Sequence, residues 1–224
     1  ALAALVRYSV RIANLREYEG YTEEDESAFD PDIREKIERA IQGGSLSTRS
    51  TIGRSLNTIW SFDHDLILDN FDTLFPRNQT TQAKNRFSAA WDAYLAFNAP
   101  HETMFRHLRP CYRHGIDLIA ANENTATRDV ERGLALHLLI TYLDGSEDLA
   151  DPQSLLTYFY AKEDPDLARQ AAWQLWRWGE DNEEIRDEWQ KVRTLWEWRL
   201  EQVDDPDAYA AEFKWFVDWL PLIA

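Results

Sequence analysis

A segment with helical spacing carries three residues of types that commonly bind metal ions: His107, Cys111 and His114. Steps of four and then three residues place them on one side of a helix. Imidazole and thiolate groups are good zinc ligands, which makes these residues weak candidates for a metal site. One helix rarely supplies three ligands in tetrahedral geometry, and we expect Pro110 to distort this one. A partly buried polar face is therefore the stronger interpretation, and we predict no metal and no other cofactor.

The same segment offers a nucleophile, because a neighbouring histidine can activate a cysteine thiol. However, a base on the same helix as Cys111 points alongside the thiol and not towards it. An ordinary small core residue is the simpler interpretation of Cys111. We predict no catalytic residue in this chain.

Two other motifs have simpler explanations than chemistry. Asp63-His64-Asp65 contains the His-Asp pair of a class of helical metal-dependent phosphohydrolases, but those enzymes need an earlier histidine ligand and none precedes His64. The Gly-Gly-Ser-Leu-Ser-Thr sequence at 43–48 lacks the Gly-Lys-Ser/Thr ending and the preceding strand of a phosphate-binding loop. An exposed helix start explains the first motif better, and a helix C-cap followed by a turn explains the second.

A basic island lies within residues 101–114 of an otherwise acidic chain. Arg106, Arg109 and Arg113 are interleaved there with Phe105 and Tyr112. Arginine binds carboxylates and phosphates through paired N–H donors, so the island predicts a surface for an acidic partner. An internal layer of salt bridges against acidic helices is the stronger alternative.

Tryptophan is concentrated at one end of the chain, since eight of the ten lie in the last 52 residues. They sit on segments with helical hydrophobic spacing, which indicates packing between neighbouring helices. Trp178 and Trp198 lie off the main apolar stripes, so we predict that these two are exposed or reach a partner. Together with the three arginines of the basic island they form the predicted partner-binding set.

Helices must position these side chains, because apolar residues recur at helical spacing along most of the chain. No segment alternates convincingly between apolar and polar residues, and only six valines occur, so strands are not expected. About ten short helical segments with short connections predict an all-α fold. We expect a solenoid-like stack of short antiparallel helix pairs, although no clean period identifies a named repeat.

Local signals mark several helix boundaries. Asp-Pro steps occur at 30–31, 151–152, 164–165 and 205–206, where Asp caps free N–H groups and Pro suits the first helical position. Gly43-Gly44 predicts the end of the helix that begins at Pro31. The Ser/Thr/Gly-rich segment 45–55 is interpreted as a connection running into the next helix. Residues 101–122 are interpreted as a helix with a break or kink at Pro110.

The composition narrows the class of partner. Forty acidic against 24 basic residues give a net charge of −16, which disfavours nucleic acid and anionic membranes as partners. The acidity fits either solubility or a basic partner. Seven carboxylates within 17–30, without Lys or Arg, predict a solvated acidic loop. A single cysteine excludes an intrachain disulfide and fits a cytoplasmic location, and no apolar run is long enough to span a bilayer.

The length of 224 residues fits one domain, although the sequence also allows a division into 1–122 and 123–224. The chain opens and closes on apolar helical patterns, at Ala1 and at 220–224. We therefore expect residues 1–224 to be a region of a larger chain.

Several strings resemble a known group of proteins. They are Trp91-Asp92-Ala93-Tyr94-Leu95; Phe105 with Leu108-Arg109-Pro110-Cys111-Tyr112; Leu136-His137-Leu138-Leu139 with Tyr142-Leu143-Asp144-Gly145; and Leu195-Trp196-Glu197-Trp198-Arg199. Over roughly residues 50–220 they resemble the C-terminal helical regions of large prokaryotic antiphage defence proteins. In that group such regions follow a sirtuin-like NADase domain or a STAND-type P-loop ATPase domain. The shared motifs are packing motifs, and without a dinucleotide-binding or Walker signature no catalytic residue is carried over.

The resemblance implies a sensor or scaffold region that recognises an invader protein or supports homo-oligomer assembly through the parent chain. We therefore expect non-catalytic protein recognition, with a phage-derived protein or other domains of the parent chain as the partner. The alternative is a free-standing all-helical metal-dependent enzyme with its site near His107, Cys111 and His114.

Overall fold

The computed structural model describes residues 4–8, 29–123, 130–182 and 187–222. Within these ranges the secondary structure is helical and contains no β-strand, which confirms the predicted all-α class. The α-helices are α1 (Pro31–Gly43), α2 (Leu46–Arg54), α3 (Leu56–Phe62), α4 (His64–Asp69), α5 (Phe71–Leu74), α6 (Thr81–Phe97), α7 (Glu102–Ala120), α8 (Val130–Leu143), α9 (Leu155–Tyr160), α10 (Pro165–Asp181), α11 (Trp189–Gln202) and α12 (Ala210–Val217). A 3-10 helix follows at Leu220–Leu222, and residues 4–8 are also helical.

The structure covers only the last part of the predicted acidic loop. Residues 17–28 of the predicted acidic loop lie outside the described residues. No helix in the described ranges combines the length and the apolar character that crossing a membrane requires.

The described chain forms two compact units, the first ending at Met104 and the second beginning at Phe105. This division lies near the start of α7, earlier in the chain than the 122/123 division that the sequence allowed. Most of α7 belongs to the second unit because its buried face contacts α8, where the Tyr112 hydroxyl lies 2.7 Å from Nδ1 of His137.

In the first unit, α1 begins and ends where the capping residues predict. The Asp30 carboxylate accepts a hydrogen bond from the Asp32 amide, and Pro31 occupies the first helical position. Ile37 and Ile41 are fully buried one turn apart. The helix ends at Gly43, which confirms the predicted boundary.

The predicted connection at 45–55 is wrong, because most of that segment is helix α2. Ser45 is the N-cap and its hydroxyl accepts a hydrogen bond from the Thr48 amide. α2 packs closely along α6, and a Cβ added at Gly53 would lie 2.0 Å from the Ala90 carbonyl oxygen. The weak helix propensity of Ser, Thr and Gly is therefore outweighed by packing between the two helices.

Aromatic rings fill the core of the first unit. Phe87, Trp91 and Tyr94 of α6 are fully or almost fully buried. The Trp91 ring stacks on Phe87 at 5.7 Å between centroids and meets Phe75 edge-on at 6.1 Å. Edge-to-face and offset contacts of this kind add about 0.5–1.5 kcal/mol each to the stability from burial.

Tryptophans fill the space between helices in the second unit. Trp176 of α10 lies 4.9 Å from Trp215 of α12, measured between ring centroids. Trp196 of α11 stacks on Phe216 of α12 at 5.9 Å. The structure thus uses these large side chains in contacts between helices.

Candidate functional site

Helix α7 carries the predicted basic island and runs without interruption through Pro110, which is exposed. Arg106, Arg109 and Arg113 lie on one side of the helix, and Asp117 continues the same row one turn later. The structure adds Tyr158 of α9 and Lys162, which follows α9, to this row. We call the group the basic edge: Arg106, Arg109, Arg113, Asp117, Tyr158 and Lys162.

Arg109 forms the internal salt bridge that the sequence left as an alternative. Its guanidinium pairs with the buried carboxylate of Glu147 and also donates a 2.6 Å hydrogen bond to the Gln153 carbonyl. The second oxygen of Glu147 accepts a 2.5 Å hydrogen bond from the Leu155 amide at the start of α9. Arg109 therefore holds the loop between α8 and α9 and is occupied within the chain.

Arg113 is the most available cation of the basic edge. Its guanidinium carbon lies 4.0 Å from the centroid of the Tyr158 ring, and its side chain is exposed. It forms no hydrogen bond and no ion pair with any residue that the structure describes. Stacking fixes the plane of the guanidinium and leaves its N–H groups open to a ligand.

A hydrogen-bonded triad fixes the position of Tyr158. The Tyr158 hydroxyl and Lys162 Nζ both donate to Oδ1 of Asp117, each at 2.6 Å, and the Lys162 ammonium also lies 4.0 Å from the Tyr158 ring centroid. Partial burial acts to raise the pKa of Asp117, but the hydrogen bonds from Lys162 and Tyr158 outweigh it and lower that pKa. The pKa of Lys162 is raised because the same bonds outweigh its partial burial. Both groups are therefore charged at neutral pH.

These protonation states decide what the basic edge can do. Lys162 is a poor general base or nucleophile, since its raised pKa keeps it protonated. Arg113 over Tyr158 instead offers two or more N–H donors and a flat aromatic surface, which suits a carboxylate or phosphate group. The geometry supports binding of an anionic group and not acid–base chemistry.

The histidine and cysteine candidates differ in burial. His107 is exposed, Cys111 is fully buried and His114 is partly buried, so they do not open onto a common space. Within the described ranges, no group of three or more His, Cys, Asp or Glu side chains could hold a metal ion. The helical rotation between positions 107 and 111 leaves the His107 side chain in solvent and places the Cys111 thiol in the core.

The Asp63-His64-Asp65 motif serves helix α4. The Asp63 carboxylate accepts a 2.8 Å hydrogen bond from the Leu66 amide and pairs with Arg34 at 2.5 Å. His64 is exposed and lies 3.3 Å from the carboxylate of its neighbour Asp65. The motif is thus a helix start, as the simpler interpretation had it.

Trp178 and Trp198, predicted to be exposed or to reach a partner, are both partly buried. The Trp198 ring meets Tyr160 edge-on at 5.8 Å between centroids. The backbone carbonyl of Trp178 accepts a hydrogen bond from the Asn182 side chain at the end of α10. The structure gives both tryptophans positions in the second unit but does not include them in the basic edge.

Sequence reasoning found the three arginines and missed their neighbours. Tyr158 and Lys162 are 41 and 45 residues away from Asp117 in the chain, and no local spacing connects them. A comparison with protein-family models, curated proteins and solved structures found no match for this chain.

Proposed function

We propose that this chain is a non-catalytic protein-recognition or scaffold region of a larger protein and that the basic edge contacts its partner. One observation carries the proposal: Arg113 is exposed, stacked on Tyr158 and forms no ion pair within the described residues. Arginine and tyrosine are the residue types enriched at the energetic centres of protein interfaces.

The charge around Arg113 makes this observation more informative. Residues 105–224 contain 24 acidic and 13 basic residues, so carboxylates are abundant in that part of the chain. The Asp117 carboxylate is nonetheless hydrogen-bonded to Lys162 and Tyr158, and Glu147 is paired with Arg109. An anionic group of a partner would give Arg113 the bidentate contact that the chain does not supply.

Rigidity supports the same function. The triad around Tyr158 and the salt bridge of Arg109 hold both sides of the basic edge, so little side-chain entropy is lost when a partner binds.

We further propose that the helices form a solenoid-like stack of antiparallel pairs. The short loops between successive helices support this architecture.

The biological setting of the proposal rests on the sequence resemblance alone. It would make this region a cytoplasmic sensor in antiphage defence, with a phage-derived protein, other domains of the parent chain or a second copy as its partner. A metal-dependent enzyme is not favoured by any contact among the described residues.

A site-specific photo-crosslinker at position 106, introduced into the protein in its source cells, tests the proposal, because this position is exposed on the same side of α7 and leaves Arg113 in place. We expect a discrete cross-linked product that disappears when Arg113→Ala is added. The matched control is position 193, because Arg193 is exposed in the same unit but pairs with Glu197 at 2.8 Å. Equal cross-linking at 106 and 193 would show that the basic edge is not a recognition surface.

A further inference from the structure

A pocket of about 310 Å³ lies between α2 and α6 in the first unit. The apolar part of its lining comes from α6 and consists of Ala89, Ala93, Ala96 and Phe97. The volume is at the lower end of the range for ligand pockets, so it fits a small molecule and not a large cofactor.

Three polar side chains of the lining have no hydrogen-bond donor for a ligand. The Ser50 hydroxyl donates to the Ala89 carbonyl at 2.8 Å, and the Thr51 hydroxyl donates to the Ser47 carbonyl at 2.9 Å. The buried Asp92 carboxylate is an acceptor and already interacts within the chain. An anionic group of a ligand therefore gains nothing from these three side chains.

Arg54 supplies donors at the exposed rim of the same pocket. Its guanidinium carbon lies 4.2 Å from the centroid of the Phe97 ring, and Phe97 is 58% exposed. Arg54 forms no hydrogen bond and no ion pair with any described residue, although the carboxylate of Asp92 lines the same pocket. Stacking fixes the plane of the guanidinium and leaves its N–H groups open. Paired N–H donors of this kind bind a carboxylate.

The helix ends beside the rim are capped by a side chain. α2 ends at Arg54 and α6 ends at Phe97, so the last carbonyls of both helices carry partial negative charge. The Asn98 side-chain amide donates to the carbonyls of Gly53 and Tyr94, at 3.0 and 3.1 Å. One carbonyl of each helix is thereby satisfied, which reduces the repulsion that a carboxylate at Arg54 meets.

We propose that this pocket binds a small monocarboxylate with an apolar body. The carboxylate pairs with Arg54 at the rim, and the apolar body lies against Phe97 and the alanines of α6. A single negative charge matches the site, because the donors lie at the rim and the polar groups of the second paragraph's wall, Ser50, Thr51 and Asp92, offer none. The pocket belongs to the first unit and the basic edge to the second, so either proposal can fail without the other.

An amide-resolved NMR titration of the intact chain with hexanoate and with phenylacetate tests the site. The neutral amides hexanamide and phenylacetamide are the matched probes, since each keeps the apolar body and loses the charge. We expect saturable shifts in α2 and α6 with at least one acid and about tenfold or weaker binding of its amide. Saturable binding of neither acid, equal binding of acid and amide, or shifts confined to other helices would overturn the proposal.

A substitution separates this site from general charge effects. Arg54→Gln should weaken binding of the acid about tenfold or more and leave binding of the amide unchanged. Arg54 is exposed, so the variant is expected to fold, which circular dichroism verifies. Arg77→Gln is the matched control, because Arg77 also lies over an aromatic ring, 5.4 Å from the centroid of Phe71, but pairs with Asp72 and does not line the pocket. Equal loss of acid binding in both variants would overturn the assignment of Arg54.

Discussion

Each unit contains a fully or almost fully buried arginine, but the two charges are neutralised differently. In the first unit, Arg49 donates to backbone carbonyls at the ends of α5 and α1, at 2.7 Å from Thr73 and 2.9 Å from Ile41. In the second unit, Arg199 donates two hydrogen bonds to the buried carboxylate of Glu212, at 2.8 and 2.9 Å. Helix C-termini supply partial negative charge, whereas Glu212 supplies a full one.

The two environments shift the pKa of the arginine in opposite directions. Burial, followed by the nearby charge of Arg86, lowers the pKa of Arg49. Burial also acts on Arg199, but the hydrogen bonds and the charge of Glu212 outweigh it and raise the pKa. A buried arginine therefore needs hydrogen-bond acceptors, and either backbone carbonyls or a carboxylate can supply them. It also predicts that the second unit depends on both members of its pair.

Glu212→Gln should produce the largest loss, because it leaves the Arg199 charge buried without a counter-ion. We expect the free energy of unfolding to fall by about 3–5 kcal/mol. Urea titration followed by tryptophan fluorescence measures it, since eight of the ten tryptophans lie in the second unit.

The control for Glu212→Gln replaces both charges with apolar side chains. Arg199→Met combined with Glu212→Leu should recover most of the lost stability, because no unpaired charge remains. If the double variant is less stable than Glu212→Gln, the unpaired charge is not the cause of the loss.

Arg49→Met should cost less, about 2–3 kcal/mol, because it removes hydrogen bonds that a charged group donates to backbone carbonyls but leaves no charge unpaired. Hydrogen exchange should increase at the C-terminal turns of α1 and α5, whose carbonyls Arg49 binds. Arg49→Lys should be intermediate, since a single ammonium cannot reach both helix ends in the way a guanidinium does. Unchanged exchange in both helices would contradict a capping role for Arg49.

The glycines provide a smaller contrast between the units. A Cβ at Gly53 would lie 2.0 Å from a backbone oxygen of α6, whereas a Cβ at Gly179 would lie 2.5 Å from the ring of Trp219. A side chain can shift further than a helix backbone, so Gly53→Ala should cost more stability than Gly179→Ala, within about 1–3 kcal/mol for each. Gly43→Ala is the control, because a Cβ there meets no atom within 4 Å. Thermal unfolding of the three variants gives the order, and a smaller loss for Gly53→Ala than for Gly179→Ala would contradict it.

The Asp-Pro steps show what local sequence determines. At all four steps the Asp side chain accepts a hydrogen bond from the backbone amide two residues later. Asp30 and Asp164 then begin α1 and α10 directly, whereas the steps at 151–152 and 205–206 remain turns. The hydrogen bond is local and therefore predictable. Whether a helix follows it depends on packing further along the chain.

Non-local packing also explains the other differences between prediction and structure. Segment 45–55 is polar enough to be interpreted as a connection, and its helix is stabilised by contact with α6. The arginines of the basic edge share one helix, so their row was predictable from spacing. The stacking of Arg113 on Tyr158 joins two helices, and the sequence contains no signal for it.

Substitution in the Asp117–Lys162 pair of the basic edge should have the smallest effect on stability. This partly exposed pair contrasts with the buried Arg199–Glu212 pair of the same unit. The lowered pKa of Asp117 means that its contribution to stability is present above its unfolded pKa of about 3.9 and is lost as the pH falls through the folded value. The raised pKa of Lys162 gives a contribution present below its unfolded pKa of about 10.4 and lost as the pH rises through the folded value. The pair therefore stabilises the fold between these limits.

Asp117→Asn should reduce stability at neutral pH by only about 0.2–1 kcal/mol, because 47% of the Asp117 side chain is exposed and solvent screens the charges. The difference from the unchanged protein should shrink at acidic pH and in high salt. Urea titrations at acidic and neutral pH, each with and without added salt, measure both trends. Glu212→Gln should keep most of its effect in salt, since burial protects the Arg199 pair from screening. Equal salt dependence of the two variants would mean that burial is not what separates the two pairs.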